Sequence, residues 1–187
     1  ATGGRPSAAF EFNAAGGVVL AIDLGANHAS YGVADLYGEV LASSTDAVRI
    51  GDGPDVVMPL VIARLVRLLA EPALAAREVL AVGIGLPGPV EQHTGLPTSP
   101  PIMPGWDGYD VRRALSQRFG CPVFVDNDAN VLALGERAVA WPDVEDLMFV
   151  KVATGVGAGI ISGGRLLHGA QGAAGDLGHV HCEAAGE

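Results

Sequence analysis

The sequence predicts an α/β fold, a mixed sheet that opens as an antiparallel meander and continues through helices into parallel strands. Three observations predict it. Short β-favouring runs, such as Val18-Val-Leu-Ala-Ile22 and Glu78-Val-Leu-Ala-Val-Gly-Ile-Gly-Leu86, alternate with stretches of helical period at 55–70 and 109–119. The layout strand, glycine turn, strand, turn, strand occurs twice, once from Val18 and once from Leu147. Finally, the apolar run ending at Val125 turns abruptly polar as Asp126-Asn-Asp-Ala-Asn130. The end of a strand that feeds a helix is where open α/β sheets place their ligands.

Composition narrows the class. At 187 residues the chain is one large domain or two small lobes, and 49% hydrophobic residues suffice for a sizeable core. Aromatics make up only 5%, so small aliphatic side chains must do the packing. The 27 glycines and 12 prolines are many for a globular chain, yet below the level of a disordered one. A formal net charge of −10 argues against this chain gripping nucleic acid, which needs clustered Lys and Arg. Two cysteines, Cys121 and Cys182, make no disulfide framework and suit a reducing cytoplasm. With no long apolar run and no signal-peptide layout, a cytoplasmic protein without a membrane partner is expected.

Taken in order, residues 1–17 show no sustained period and read as an arm or linker. Val18–Ile22, Ser30–Asp35 and Glu39–Thr45 are three strands separated by two turns. A helix over Asp55–Ala70 follows, with Val57, Leu60, Val61, Leu65, Leu68 and Leu69 as its apolar stripe. Asp52 or Asp55 is its expected cap, and Pro72 its stop. The strand Glu78–Leu86 is halted by Pro87-Gly-Pro89. Residues 90–108 form a proline-rich irregular segment, of a length that inside a compact domain is usually functional. Tyr109–Phe119 is helical, with Gly120 suited to end it. The strand after Pro122 leads into a helix that Pro142 stops. Leu147–Ala153 is a strand, and Ile160–Ser162 pairs with Gly163-Gly-Arg-Leu-Leu167 across a Gly-Gly turn. No helix follows that meander, so one face of its sheet is expected to be uncovered, and the chain to be a piece cut at both ends.

The polar strand end carries the best candidate chemistry. A positioned carboxylate there can take a proton from a substrate hydroxyl, worth roughly 10²–10⁴-fold in rate. Any one of Asp126, Asn127, Asp128 and Asn130 is more often a helix N-cap; four together favour a site. The turns Asp23-Leu-Gly-Ala-Asn27 and Thr154-Gly-Val-Gly-Ala-Gly159 occupy equivalent places in the two halves. Their backbone N–H groups can cradle phosphate oxygens. Neither fits a Walker loop, and the second lacks the helix of a dinucleotide fingerprint.

With those residues in view, the chain resembles the ROK family of repressors, open reading frames and sugar kinases, within the actin-like ATPase, ribonuclease-H-like superfamily. The resemblance runs from about Val18 to His179. It rests on Asp23-Leu-Gly25, Gly83-Ile-Gly-Leu-Pro-Gly-Pro89, Pro104-Gly-Trp106, Val125-Asp-Asn-Asp-Ala-Asn130 with Ala133-Leu-Gly-Glu136, Thr154-Gly-Val-Gly-Ala-Gly159 and Ala174-Gly-Asp-Leu-Gly-His179. It implies two actin-like lobes, residues 18–126 and the beginning of an incomplete second lobe at 127–187. It implies Asp128 as general base in a kinase, and a sugar held by Gly88, Asn127, Asp128, Asp176 and His179. Asp23, Gly25, Thr154, Gly155 and Gly157 would line the nucleotide, ATP with Mg²⁺. His179 would ligate a structural zinc, although the family's Cys-rich motif that supplies the other ligands is not in the sequence.

The departures matter too. Asn27 stands where the family's kinases usually have Thr, Ile102 where an Asn is common, and Asp176 where a sugar-binding Glu is expected. These favour a ligand-binding role over phosphoryl transfer, which depends on positioning and charge stabilisation. Gly4-Arg-Pro6 also looks like the junction to an upstream winged-helix domain in ROK repressors. The leading expectation is therefore the effector domain of a ROK-type transcriptional regulator. It would bind a sugar or sugar phosphate, touch DNA only through that upstream domain, and form a homo-oligomer such as a dimer. The alternative is an ATP-dependent kinase of hexoses or N-acetylated aminosugars. His179, His181 and Cys182 together are read as coincidence plus one family histidine, with His179 and His181 on one strand face. His28 and His93 are read as solvated, and Trp106 as a packing anchor for the long loop.

Overall fold

The computed structural model describes residues 11–98, 102–170 and 172–179. Most of the expected arm therefore lies outside the described residues, as do His181 and Cys182.

Five strands form the first sheet, in the order β3-β2-β1-β4-β5. The meander is β1 (Val18–Leu24), β2 (His28–Ala34) and β3 (Val40–Ala47), paired antiparallel. Strand β4 (Val79–Leu86) joins β1 in parallel, and β5 (Val123–Asn127) joins β4 in parallel. Alternation in β1 sends Val18, Leu20, Ile22 and Leu24 to one buried face, with Val82, Ile84 and Leu86 of β4 beside them. Helices α1 (Pro54–Leu69) and α2 (Val111–Phe119) cover that face through Val57, Met58, Val61, Leu65, Val111 and Leu115.

Two details of α1 differ from expectation. Its cap is Gly53, at φ 84°, with no side-chain capping bond, because Asp52 is consumed in a short 3-10 turn and Asp55 lies inside the helix. Leu60 is half exposed, since the stripe that faces the sheet runs through Met58 instead. Helix α2 starts on the Asp110 side chain, which accepts from Arg113 N at 2.8 Å, and ends at Gly120 in the left-handed region, φ 69°.

The long loop between β4 and α2 is held by Trp106. Its ring is fully buried, its Nε1 donates to Ile50 O at 3.0 Å, and it meets Tyr109 edge to face. The packing-anchor reading of Trp106 agrees with this.

Helix α3 (Asp128–Ala140) leaves β5 and crosses to a second sheet, β6-β7-β8. That sheet consists of β6 (Leu147–Val152), β7 (Val156–Ser162) and β8 (Arg165–Leu166), all antiparallel. Gly163 and Gly164 turn the chain between β7 and β8 with φ of 56° and 73°. Helix α3 packs on one face of this sheet through small residues. A Cβ on Gly159 would collide with Ala129 O and the Ala133 methyl, so the helix sits directly on the β7 backbone. On the other face Met148, Val150 and Val152 are exposed.

Candidate functional site

Register brings the site together. Asp23 of β1 pairs with Gly85 of β4, and Gly85 pairs with Asp126 of β5. Partners in parallel strands point to the same face, so Asp23 and Asp126 flank a position with no side chain. Asp128 fills that gap: a Cβ on Gly85 would stand 3.2 Å from Asp128 Cα. Three carboxylates thus gather at the carboxyl ends of three neighbouring strands, on the face away from the first sheet's core.

Each is held differently. Asp126 Oδ1 accepts from Asn127 N at 2.7 Å and from Asn130 Nδ2 at 2.8 Å, and Oδ2 lies 2.7 Å from His168 Nε2. Asn127 is the N-cap of α3, its Oδ1 accepting from Ala129 N at 2.9 Å. Its Nδ2 donates to Gly88 O at 3.0 Å, which ties the strand end to the loop after β4. The residue capping α3 is therefore Asn127, and neither neighbouring Asp is spent on that task.

Asp128 is buried at the first turn of α3, where the helix dipole favours negative charge. Its Oδ2 accepts from Lys151 Nζ at 2.6 Å. Burial pushes the Asp128 carboxyl above its ordinary value; the Lys151 bond and charge pull it down, and the Asp23 charge adds to the rise. Lys151 reaches Asp128 because β6 alternates: Leu147, Phe149 and Lys151 face α3, while Met148, Val150 and Val152 face out.

Gly25 closes the turn after β1 by donating its N–H to His28 O at 2.9 Å. His28 is exposed, yet its Nε2 lies 3.5 Å from Asp23 Oδ2, so it is not the partnerless solvated group expected. His93 is exposed, as expected. Thr154 and Gly155 occupy the exposed turn between β6 and β7, and Gly157 opens β7 alongside Ala129. Asp176 is half-buried in a segment laid against β7, where Gly175 O accepts from Ala158 N at 2.7 Å. In the same segment a Cβ on Gly172 would run into Val90 O, so this stretch also touches the loop that carries Gly88. His179 closes a 3-10 turn, Leu177–His179, rather than lying in a strand; its side chain lies outside the described residues. Among the described residues no group of three His, Cys, Asp or Glu is placed to hold a metal.

Asp23, Gly88, Asn127 and Asp128 thus come to one place, with Gly157 beside the start of α3. Lys151 and His168 were not singled out from the sequence, and both bond to the strand-end carboxylates. Two surface grooves lie elsewhere. One of about 300 Å³ is bordered by Asn27, Arg49 and Asp52, and one of about 430 Å³ by Val66, Leu69 and Phe119. Neither is lined by Asp126, Asn127 or Asp128. The strand end has the polar chemistry, and we place the candidate site there. No helix among the described residues is long and apolar enough to cross a membrane.

Comparison with known proteins identifies the family. The family model described as the ROK family matches residues 19–187. The xylose repressor of Caldicellulosiruptor bescii is 32% identical over 179 residues, covering 95% of this chain and 45% of that protein. Among solved structures, a ROK family transcriptional regulator homologous to the Escherichia coli Mlc protein superposes with a TM-score of 0.80. It is 27% identical, over 94% of this chain and 44% of that one. The ROK family glucokinase of Streptomyces griseus, solved with glucose and AMPPNP, gives a TM-score of 0.72 at 30% identity, over 88% and 50% of the two chains. The chain spans about half the length of these relatives. The fold is the actin-like fold that the family's sugar kinases carry, the superpositions covering about half of their chains. With the match running through both sheets, the chain belongs to the ROK family.

Proposed function

We propose that this chain is the effector-binding part of a ROK-type transcriptional regulator, with a sugar bound at the strand-end cluster. Asn127, Asp128 and Gly88 would hold the sugar hydroxyls, with Asp176 and His179 closing from the segment against β7. The observation that carries this reading is the gathering of Asp23, Asp126 and Asp128 around Gly85. Carboxylates accept hydrogen bonds from hydroxyls and repel anions, so the cluster favours a neutral sugar over a sugar phosphate. Xylose is the first sugar to try, because a relative covering nearly all of this chain is named a xylose repressor. In this reading the lobes are residues 18–126 and 127–187. The intact protein would be a cytoplasmic homo-oligomer that reads DNA through an upstream winged-helix domain. Sugar binding would shift the equilibrium that this domain senses.

A second reading, an ATP-dependent sugar kinase, is favoured by the presence of Asp128 at the start of α3 and by the glucokinase match. Asp128 would then be the general base, and Asp23, Gly25, Thr154, Gly155 and Gly157 would face ATP and Mg²⁺. Zinc at His179 belongs to either reading and would need ligands from outside the described residues.

The test is paired. Calorimetry of the intact protein against D-xylose, D-glucose and N-acetylated aminosugars should show binding of one neutral sugar. A coupled assay with ATP and the same sugar should show no turnover. Sugar-dependent ATP consumption abolished by Asp128→Asn would establish the kinase instead.

A further inference from the structure

We propose that Lys151 is the residue that makes this cleft hold a neutral sugar without reacting with it. It does so by keeping Asp128 a fixed, charged acceptor. This deepens the sugar-site reading above and rests on it.

Lys151 stands on the inward face of β6, in line with Leu147 and Phe149. A lysine there is costly unless paired, and its partner is the one carboxylate that lies over Gly85. The Nζ–Oδ2 distance is 2.6 Å, with 21% of the Lys151 and 10% of the Asp128 side chain exposed. A carboxylate offers about four acceptor positions. Lys151 occupies one and the Ala129 N–H another, leaving the rest for hydroxyls, and the negative charge of the ionised carboxylate makes each remaining bond charge-assisted.

The same pairing opposes phosphoryl transfer. As general base, Asp128 would take the hydroxyl proton while the hydroxyl oxygen forms its bond to phosphorus and the bond to the leaving phosphate breaks. Asp128 would end neutral beside an ammonium that stabilises its charge, so Lys151 resists the proton transfer that a kinase requires. Among the described residues, the other titratable groups around Asp128 are Asp23 of β1 with its partner His28, Asp126 of β5 with its partner His168, and Asp176 in the segment on β7. The carboxylates among them are acidic neighbours, so none of these three can replace Lys151 in holding Asp128 ionised.

The test uses the intact protein and calorimetry with D-xylose and D-glucose between about pH 5 and pH 8, where an unpaired buried carboxylate would titrate. Wild-type affinity gives the reference profile, in which any contribution from His168 and His179 is shared by the variants. Lys151→Met should bind about tenfold or more weakly at pH 7 and weaken further as the pH falls, because a charge-assisted bond has been lost and Asp128 protonates. Lys151→Arg, which keeps the charge, should restore the wild-type profile, a rescue that mere packing would not give. A second measurement compares binding in two buffers of different ionisation enthalpy near pH 6, where Lys151→Met should exchange more protons on binding than the wild type, because the histidine contribution is common to both.

Unchanged affinity and a wild-type pH profile in Lys151→Met would overturn the proposal, as would proton exchange no larger in Lys151→Met than in the wild type. Asp128→Asn separates the two levels of the argument. If it abolishes binding while Lys151→Met has no effect, the sugar site stands and the role of Lys151 falls. If Asp128→Asn also leaves affinity unchanged, the site itself is wrong.

Discussion

His168 Nε2 lies 2.7 Å from Asp126 Oδ2, joining the segment after β8 to the end of β5. Asp126 lies in β5 of the first sheet and His168 just past β8 of the second, so this bond closes the strand-end cluster from the second sheet's side. Asp126 also accepts from Asn127 N and Asn130 Nδ2. Removing Asp126 therefore leaves three donors unsatisfied, while removing His168 leaves one acceptor short. Asp126→Ala should lower unfolding free energy by roughly 2–4 kcal/mol and His168→Ala by about 1–2 kcal/mol, taking the usual cost per lost partly buried bond. Urea unfolding of both variants checks the order; equal losses would contradict it.

The contact between α3 and β7 predicts a pair of unequal glycine substitutions. Gly159→Ala drives a methyl into Ala129 O and Ala133, both on the helix that begins with Asp128. It should cost about 1–3 kcal/mol and weaken sugar binding by displacing Asp128. Gly83→Ala, on β4, meets nothing within 4 Å and should change stability by less than about 1 kcal/mol. Thermal unfolding and calorimetry on both variants read the difference.

Glu91 supplies a pH prediction for the loop that carries Gly88. The Thr94 hydroxyl, then the N–H groups of His93 and Thr94, hold its carboxyl down at about 2. A carboxyl lowered in the folded state contributes stability that is present above its unfolded value and lost as the pH falls towards about 2. Thr94→Val should move the Glu91 carboxyl back towards its ordinary range. A side-chain carboxyl NMR titration checks this, and an unmoved titration would contradict it.

Trp106 predicts how the long loop is anchored. Trp106→Phe keeps most of the buried ring but leaves Ile50 O with only the Gly53 N–H as donor, a loss of about 0.5–1.5 kcal/mol. Trp106→Ala should cost roughly 3–5 kcal/mol. Chemical denaturation separates the two values, and a Phe variant as unstable as the Ala variant would contradict the part played by the bond.

Much of the fold was legible because its signals are local. Gly120 ending α2, the Gly163-Gly164 turn and the polar break after Val125 each act within a few residues, and each is where the sequence put it. The cap of α1 was misread for an equally local reason. Asp52 has the right chemistry, but the chain needs a positive φ at position 53, which only its neighbouring glycine supplies cheaply. The site was half legible. Asp126, Asn127 and Asp128 are contiguous, whereas Lys151 reaches Asp128 across 23 residues and His168 reaches Asp126 across 42. One clue to Lys151 was present: in Leu-Met-Phe-Val-Lys-Val it is the charged residue on the strand face shared by Leu147 and Phe149. Asp23 and Asp126 could be set beside each other only once β4 was known to lie between their strands.

The central claim is that a sugar sits on the carboxylates gathered over Gly85. A structure of the intact protein with its calorimetrically identified sugar tests it most directly. The account predicts sugar hydroxyls within hydrogen-bond distance of the Asp128 carboxylate and the Asn127 side chain, with Lys151 still on Asp128. A sugar seated instead in the groove beside Asn27 and Arg49, with the strand-end cluster untouched, would contradict it.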